Sequence, residues 1–223
     1  MQPTPRDFGA GAAPQTGWSS TPTVYVVDDD ISVRESLEAL IQVSGWDVRV
    51  FASATDFLAT PANPGPSCLV LDVGLPDLNG LDLQDRIAGE RSQMPIIFIT
   101  GYGDVPMTVR AMKAGAAEFL TKPLGDDVLV NAIDLALRRS QAAVGELTAL
   151  QVLRDRRATL SRRECEVMDL VVSGLLNKQV GGELGISEIT VKAHRGRAME
   201  KMQAKSLADL VRMSQRLGLH PAN

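Results

Sequence analysis

Five short apolar runs, each followed by a stretch with helical spacing, constrain most strongly what this chain can fold into. They are Thr23–Val27, Asp47–Ala52, Cys68–Leu71, Pro95–Thr100 and Phe119–Thr121. Each reads as a strand. Between the first two, Ser32–Ser44 carries Val33, Leu37, Leu40 and Ile41 at helical spacing and meets Gly45 in the helix-stop position. Ser53–Leu58, Leu81–Glu90 after the Asn79-Gly80 turn, Val105–Lys113 before Gly115, and Asp126–Arg139 complete the alternation. Strands separated by helices cannot pair as hairpins; they form a parallel sheet by crossover connections. The expected fold is therefore α/β, a doubly wound five-stranded parallel sheet with helices on both faces.

The pattern then changes. After Arg157 only helices are predicted: Ser161–Ser173, Asn177–Leu184, Ser187–Met202 and Ser206–Leu217, separated by Gly174, Gly185 and Gln203–Lys205. Ser161 with Glu164, and Ser187 with Thr190, place capping residues at helix starts; Ser206 with Asp209 repeats the device more weakly. A short helix, a glycine-containing turn and a longer basic helix form a helix-turn-helix signature, so a small all-α domain follows the sheet. Between the two, Ile133, Leu137, Val144, Leu147 and Leu150 prolong helical spacing through Arg154, although Gly145 costs about 1 kcal/mol there relative to alanine. Two readings stay open for that stretch. One is a helical connector, with a short coiled coil between protomers as an extension; the other is an amphipathic helix followed by a flexible linker. The assigned division is a disordered tail over 1–21, a first domain over 22–139, a helical linker over 140–157 and the helical domain over 158–223.

Charge supports two modules with different partners. Residues up to Leu150 hold 10 Lys+Arg against 19 Asp+Glu, and those from Gln151 onward hold 13 against 8. An acidic front and a basic back suggest nucleic acid as a partner of the second module, with chance variation between solvated surfaces as the plainer alternative. The two cysteines, Cys68 and Cys165, form neither a disulfide framework nor a zinc spacing, which fits free thiols in a reducing cytosol. No basic-then-apolar leader opens the chain and no apolar run approaches a membrane span, so a cytoplasmic protein without membrane association is expected.

Three polar pieces fall directly after strands: Asp28-Asp29-Asp30, Asp72 and Lys122-Pro123. In an open parallel sheet, reactive groups collect at the carboxyl ends of the strands. Carboxylates converging there raise one another's pKa unless a cation sits among them, and Mg²⁺ suits an all-oxygen set. One carboxylate can then attack phosphorus, with Lys122 as a mobile positive charge for phosphoryl oxygens and Thr100 as a hydroxyl. The proline after Lys122 is a candidate for a cis bond that aims the lysine inward.

Residues 23–140 resemble a response-regulator receiver domain, which has a flavodoxin-like fold, through VYVVDDD, LVLDVGLPDLNG and PIIFITGYGDVPMTVRAMKAGAAEFLTKPL. The resemblance implies that Asp72 is the phosphoacceptor and that Asp28, Asp29, Asp72 and the backbone carbonyl of Gly74 hold the metal, Asp29 directly. It makes Thr100 and Phe119 a switch pair and Lys122 the lysine of the phosphate site. Capture of the phosphoryl group would draw the threonine hydroxyl inward, with the aromatic ring following and the face of helix four, strand five and helix five rearranging. Leu75 stands where methionine is commoner before Pro76.

A competing enzyme reading starts from Asp28-Asp29-Asp30-Ile31-Ser32, which resembles the first motif of haloacid-dehalogenase-type phosphatases, with Asp28 as nucleophile and Asp30 as acid/base. That family needs another acidic pair well beyond the lysine, and Asp126-Asp127 follow Lys122 too closely. It also leaves Asp72 without a task.

Residues 160–217 resemble the LuxR-type helix-turn-helix through LSRRECEVMDLVVSGLLNKQVGGELGISEITVKAHRGRAMEKM and KSLADLVRMSQRLGL. The combined form is similar to the FixJ/NarL class of response regulators. In Ser187–Met202, Val191, Ala198 and Met202 share an inward face, while Lys192, Gly196 and Arg197 face outward, where a major groove would lie. Lys192 and Arg197 are the candidates for base edges, with Ala193 against a thymine methyl. Asn177, Lys178, Thr190, His194, Arg195 and Lys201 are candidates for phosphate contacts. His194 has a packed structural role as its alternative, and Arg195 a surface ion pair. Gly181-Gly182 replaces the alanine and polar residue usual in the family and is expected to loosen the first helix of the motif. Leu207, Leu210, Val211 and Leu217 are candidates for a dimer seam. The resemblance implies a transcriptional regulator of a two-component system: a cognate sensor histidine kinase as phosphoryl donor, a homodimer on phosphorylation, double-stranded promoter DNA as target and RNA polymerase as the usual downstream partner.

Overall fold

The computed structural model describes residues 21–219. The tail assigned to 1–21 lies outside these residues except for Thr21, which is exposed. The alternation appears as β1 (Thr23–Val27), α1 (Ile31–Val43), β2 (Asp47–Phe51), α2 (Ala54–Leu58), β3 (Ser67–Asp72), α3 (Gly80–Ile87), β4 (Ile96–Thr100), α4 (Val105–Lys113), β5 (Glu118–Thr121) and α5 (Asp126–Ala158). The strands form one parallel sheet in the order β2-β1-β3-β4-β5. The five βα units therefore build the expected sheet.

Period-two alternation along the strands divides the apolar residues between two cores. Tyr25, Val27, Leu69, Leu71 and Phe98 point to the face covered by Phe57 of α2, Leu81 and Leu83 of α3 and Ala111 of α4. Val24, Val26, Cys68, Val70, Ile97 and Ile99 point to the other, under Leu37 and Ile41 of α1 and Leu129, Ile133 and Leu137 of α5. The central strands β1, β3 and β4 are buried along almost their whole length because both faces are covered. Strand β5, at one edge, exposes both its ends.

Helix α5 runs without a break past Gly145 to Ala158, so the connector is helical and the flexible-linker alternative is overturned. Helix propagation adds one hydrogen bond per residue, and a single glycine does not stop it. The chain divides into two compact units between Val144 and Gly145, inside the stretch read as linker.

The second unit contains α6 (Arg162–Val172), α7 (Asn177–Leu184), α8 (Glu188–Met202) and α9 (Leu207–Arg216). Ser161, Ser187 and Ser206 each cap the helix that follows, and Ser161 with Glu164 completes a capping box. Two small cores result. Val167, Val171, Val180 and Val191 join α6, α7 and α8, while Leu153, Leu160, Met168, Ala198, Met202 and Leu210 tie the end of α5 to α6, α8 and α9. Leu210 is thus fully buried within its own domain and unavailable to a seam; Leu217 also packs on this core, leaving exposed Leu207 and half-buried Val211 from the set.

Candidate functional site

Because the sheet is parallel, the carboxyl ends of β1, β3, β4 and β5 share one edge, and Asp28, Asp72, Thr100 and Lys122 all fall there. Asp28 follows β1 and is completely buried. Its Oδ1 accepts from the Asp30 backbone N–H at 2.9 Å, and its carbonyl accepts from Arg34 Nη1 at 2.6 Å. Its Oδ2 receives Lys122 Nζ at 2.7 Å. Asp72 ends β3 with its side chain 13 % exposed, and Lys122 Nζ lies 3.8 Å from its Oδ2. The lysine therefore sits closer to the buried aspartate than to the expected acceptor.

Asp28, Asp29 and Asp72 present carboxylate oxygens within 4.8 Å of one another. Burial raises the Asp72 pKa above its ordinary range; Lys122 opposes this, Asp28 adds to it, and the backbone N–H groups of Gly74 and Val73 pull it down. One lysine does not neutralise three such acids, and an all-oxygen donor set is what a hard divalent cation selects. The residues fit Mg²⁺. Gly74 is exposed, and a Cβ there would lie 3.8 Å from Asp72 Oδ2.

The third aspartate of the opening cluster does something else. Asp30 caps α1, its carboxylate accepting from Ser32 N–H at 2.8 Å. It is engaged as a helix cap, which removes the acid/base that the phosphatase reading required, while Asp72 joins the cluster that reading left unused.

Sequence reasoning missed what Asp77, Gly80 and Gly103 do at this edge, where the expected Thr100, Phe119 and Pro123 also lie. Asp77, in the loop carrying Gly74, accepts from the Thr55 hydroxyl at 2.7 Å and from the Thr55 and Ala54 N–H groups, pinning that loop to the start of α2. The Thr55 bond holds its carboxyl below the usual range. Gly80 is buried so tightly that a Cβ would lie 2.6 Å from the Asp72 carbonyl oxygen. Thr100 is buried, and its Oγ1 accepts from Tyr102 N–H at 3.2 Å. The Phe119 ring stands 6.0 Å from that of Phe98. Gly103 packs between the members of the expected switch pair: a Cβ there would meet Phe119 Cε1 at 3.1 Å and Thr100 Cγ2 at 3.2 Å. Only the positions of Gly80 and Gly103 after a turn and a strand hinted at such close approaches. The Lys122–Pro123 bond is cis.

In the second unit, α7, a turn with Gly185 in the left-handed region (φ +66°) and α8 form the helix-turn-helix. Gly181 has a packing reason: a Cβ would lie 2.8 Å from the Ile186 carbonyl oxygen, so it lets the turn close against α7 rather than loosening the helix. Gly182 opens to free space. Lys192, Ala193, Gly196 and Arg197 are exposed on the side of α8 opposite buried Val191, Ala198 and Met202, and Lys178 is exposed in the first turn of α7. Lys192 Nζ pairs with Glu188 at 3.2 Å, one turn earlier on the same helix. Arg195 donates to Asn177 Oδ1 at 3.2 Å, joining two of the expected phosphate contacts to each other. Thr190 meets the Ser187 hydroxyl at 2.8 Å as part of the cap. His194 is half-buried, and its buried Nδ1 has no hydrogen-bond partner among the described residues.

Lys201 requires a correction. Its Nζ lies 2.6 Å from Glu164 Oε2 and 3.1 Å from the Thr159 carbonyl oxygen, tying the end of α8 to the start of α6. That internal partner satisfies the charge and takes it from the set of free phosphate contacts. With the Ser161 N–H, it holds the buried Glu164 carboxyl down at about 2.

Residues 24–134 match the family described as response regulator receiver domain, and residues 158–214 match that described as bacterial regulatory proteins, luxR family. Nodulation protein W of Bradyrhizobium diazoefficiens is 49 % identical over 209 residues, covering 94 % of this chain and 92 % of that one. Transcriptional regulatory protein FixJ of the same organism is 42 % identical over 198 residues, covering 88 % and 96 %. Among solved structures, response regulator StyR aligns with a TM-score of 0.79 at 43 % identity, over 88 % of this chain and all of that one.

Proposed function

The chain belongs to the two-component response regulators that join a receiver to a LuxR-type DNA-binding domain, and from that premise we propose that a phosphoryl group on Asp72 switches its grip on promoter DNA. It is a transcriptional regulator rather than a conventional enzyme. The observation that carries the switch is the convergence of Asp28, Asp29 and Asp72 beside Lys122.

In this reading a sensor histidine kinase supplies the phosphoryl group from a phosphohistidine: the Asp72 carboxylate oxygen attacks phosphorus, the P–N bond breaks, the kinase's imidazole leaves and takes up a proton, and Asp72 becomes an acyl phosphate. Asp28, Asp29, Asp72 and the Gly74 carbonyl would hold Mg²⁺, which when bound would offset the negative charge of the acids and the phosphoryl oxygens. Lys122 turns from Asp28 toward the phosphoryl oxygens, a reach its flexible stem permits. The Thr100 hydroxyl gives up the Tyr102 N–H for the same oxygens. Phe119, beside which Gly103 leaves the room that a Cβ would fill, moves with it. One new charge thus biases a bistable element, and the receiver dimerises through the face of α4, β5 and α5. Val105, Val109 and Met112 expose apolar surface on α4, which supports that face as an interface. Two helix-turn-helix domains then engage paired half-sites, with RNA polymerase as the downstream partner. Among the described residues no helix is long and apolar enough to cross a membrane.

The test is labelling by acetyl phosphate with Mg²⁺, mapped by peptide mass. The expected result is a single phosphorylated aspartate at position 72, lost in Asp72→Asn together with phosphate-dependent dimerisation. Labelling at Asp28, or phosphomonoester turnover that survives Asp72→Asn, would overturn the assignment.

A further inference from the structure

We infer that Ile189 reads a thymine methyl group, making an apolar contact the central element of this chain's operator choice; the inference rests on α8 as the helix that enters the major groove. Ile189 is 80 % exposed, in the first turn of α8. Single exposed apolar residues are common on protein surfaces, so the position must carry the argument. In helix-turn-helix proteins the N-terminal residues of the second helix are those that meet base edges.

Residues four apart on a helix are neighbours, so Ile189 and Ala193 lie side by side, and Gly196 continues the same outward ridge. Val191, Ala198 and Met202 mark the opposite, buried face. The ridge that would point at the groove floor therefore contains one large side chain, one methyl group and one glycine. No atom lies within 4 Å of a Cβ built at Gly196, so the missing side chain is not explained by packing within the protein. It lets the helix backbone come close to the DNA, which drives Ile189 and Ala193 deeper.

The charged neighbours do not displace this ridge. Lys192 is drawn toward Glu188 at 3.2 Å, and Arg197 lies two turns further from the helix start. An isoleucine cannot hydrogen-bond a base, and the only apolar group displayed in the major groove is the C5-methyl of thymine. Contact there removes both surfaces from water, and one buried methyl group corresponds to about fourfold in affinity.

The experiment uses the full-length protein treated with beryllofluoride and Mg²⁺ to enrich binding duplexes from a random-sequence pool. Each thymine of the enriched duplex is then replaced singly by deoxyuridine, which removes the methyl group alone. The wild type is expected to lose about fourfold at one thymine in each half-site. Ile189→Ala is expected to lose less than twofold at that same thymine and to bind unrelated duplexes as the wild type does. Ile189→Val, which keeps a branched apolar surface, should retain most of the sensitivity, and the exposed site leaves the thermal midpoint of both variants unchanged. Wild-type indifference to every thymine methyl would overturn the inference, as would undiminished sensitivity in Ile189→Ala. Failure to enrich any sequence would overturn it together with the DNA-binding reading; enrichment without methyl sensitivity would leave that reading standing.

Discussion

The receiver site and the DNA-binding face use charge in opposite ways. At the receiver edge, Asp28, Asp72 and Lys122 stand at the ends of three strands far apart in sequence and share a small, largely buried space. On α8, Lys192 and Arg197 belong to one exposed stretch of helix. Buried neighbours act as a unit, since removing one changes the charge balance of all, whereas exposed cations act separately and are screened by salt. The first arrangement suits an all-or-none chemical event; the second suits affinity assembled in increments. The receiver should therefore fail as a whole and the DNA-binding domain by degrees.

The sharpest way to break this contrast is Lys122→Met, which keeps the stem and removes the charge. Labelling by acetyl phosphate should slow about a hundredfold or more, measured as the initial rate. A change of a few fold would mean the receiver site is as divisible as the DNA face. Gly80→Ala comes next. Its Cβ would fall 2.6 Å from the Asp72 carbonyl oxygen, so the β3–α3 junction must shift. A loss of about 1–3 kcal/mol in urea unfolding is expected, with slower labelling; unchanged stability would show that the junction yields freely.

Glu164→Gln tests whether the second unit has its own indivisible charge. Its carboxyl is held at about 2 against an ordinary value of 4.5. A depressed pKa stabilises the fold above the ordinary value and loses that contribution as pH falls toward the folded one. The wild type should exceed the variant by about 1–3 kcal/mol from pH 5 upward. The difference should shrink between about pH 4.5 and pH 2, followed by thermal melts across that range. A constant difference would dissociate the pair from stability. Lys178→Ala should have the smallest effect. Affinity for specific and unrelated duplexes should fall together, and the slope of log affinity on log salt should become shallower by about one unit. A loss confined to one sequence would make Lys178 a reader of bases.

The fold was legible because its signals are local and repeated: apolar runs, helix stops and serine caps each act over a few residues. Asp28, Asp29, Asp72 and Lys122 were legible as a group because a parallel sheet gathers strand ends on one edge. What escaped depends on partners that spacing along one helix cannot reveal. Lys201 lies on a basic helix, yet the acid across from it is on α6. Leu210 has the spacing of a seam but faces the core formed with Leu153 and Met202. Gly181 looked like a weakness because its neighbour is the carbonyl of a turn five residues on. Asp77 reaches α2 across the sheet edge, and no local pattern marks that contact. Ile189 was given no role because spacing along α8 does not reveal that its side chain is exposed.

The most direct test of the whole account is the dissociation constant of full-length protein on one enriched duplex, at one salt concentration, with and without acetyl phosphate and Mg²⁺. Wild type should bind at least tenfold tighter when phosphorylated, with the gain absent in Asp72→Asn. Equal affinity in the two states, or a gain that persists in Asp72→Asn, would contradict the claim that charge at Asp72 controls the grip on DNA.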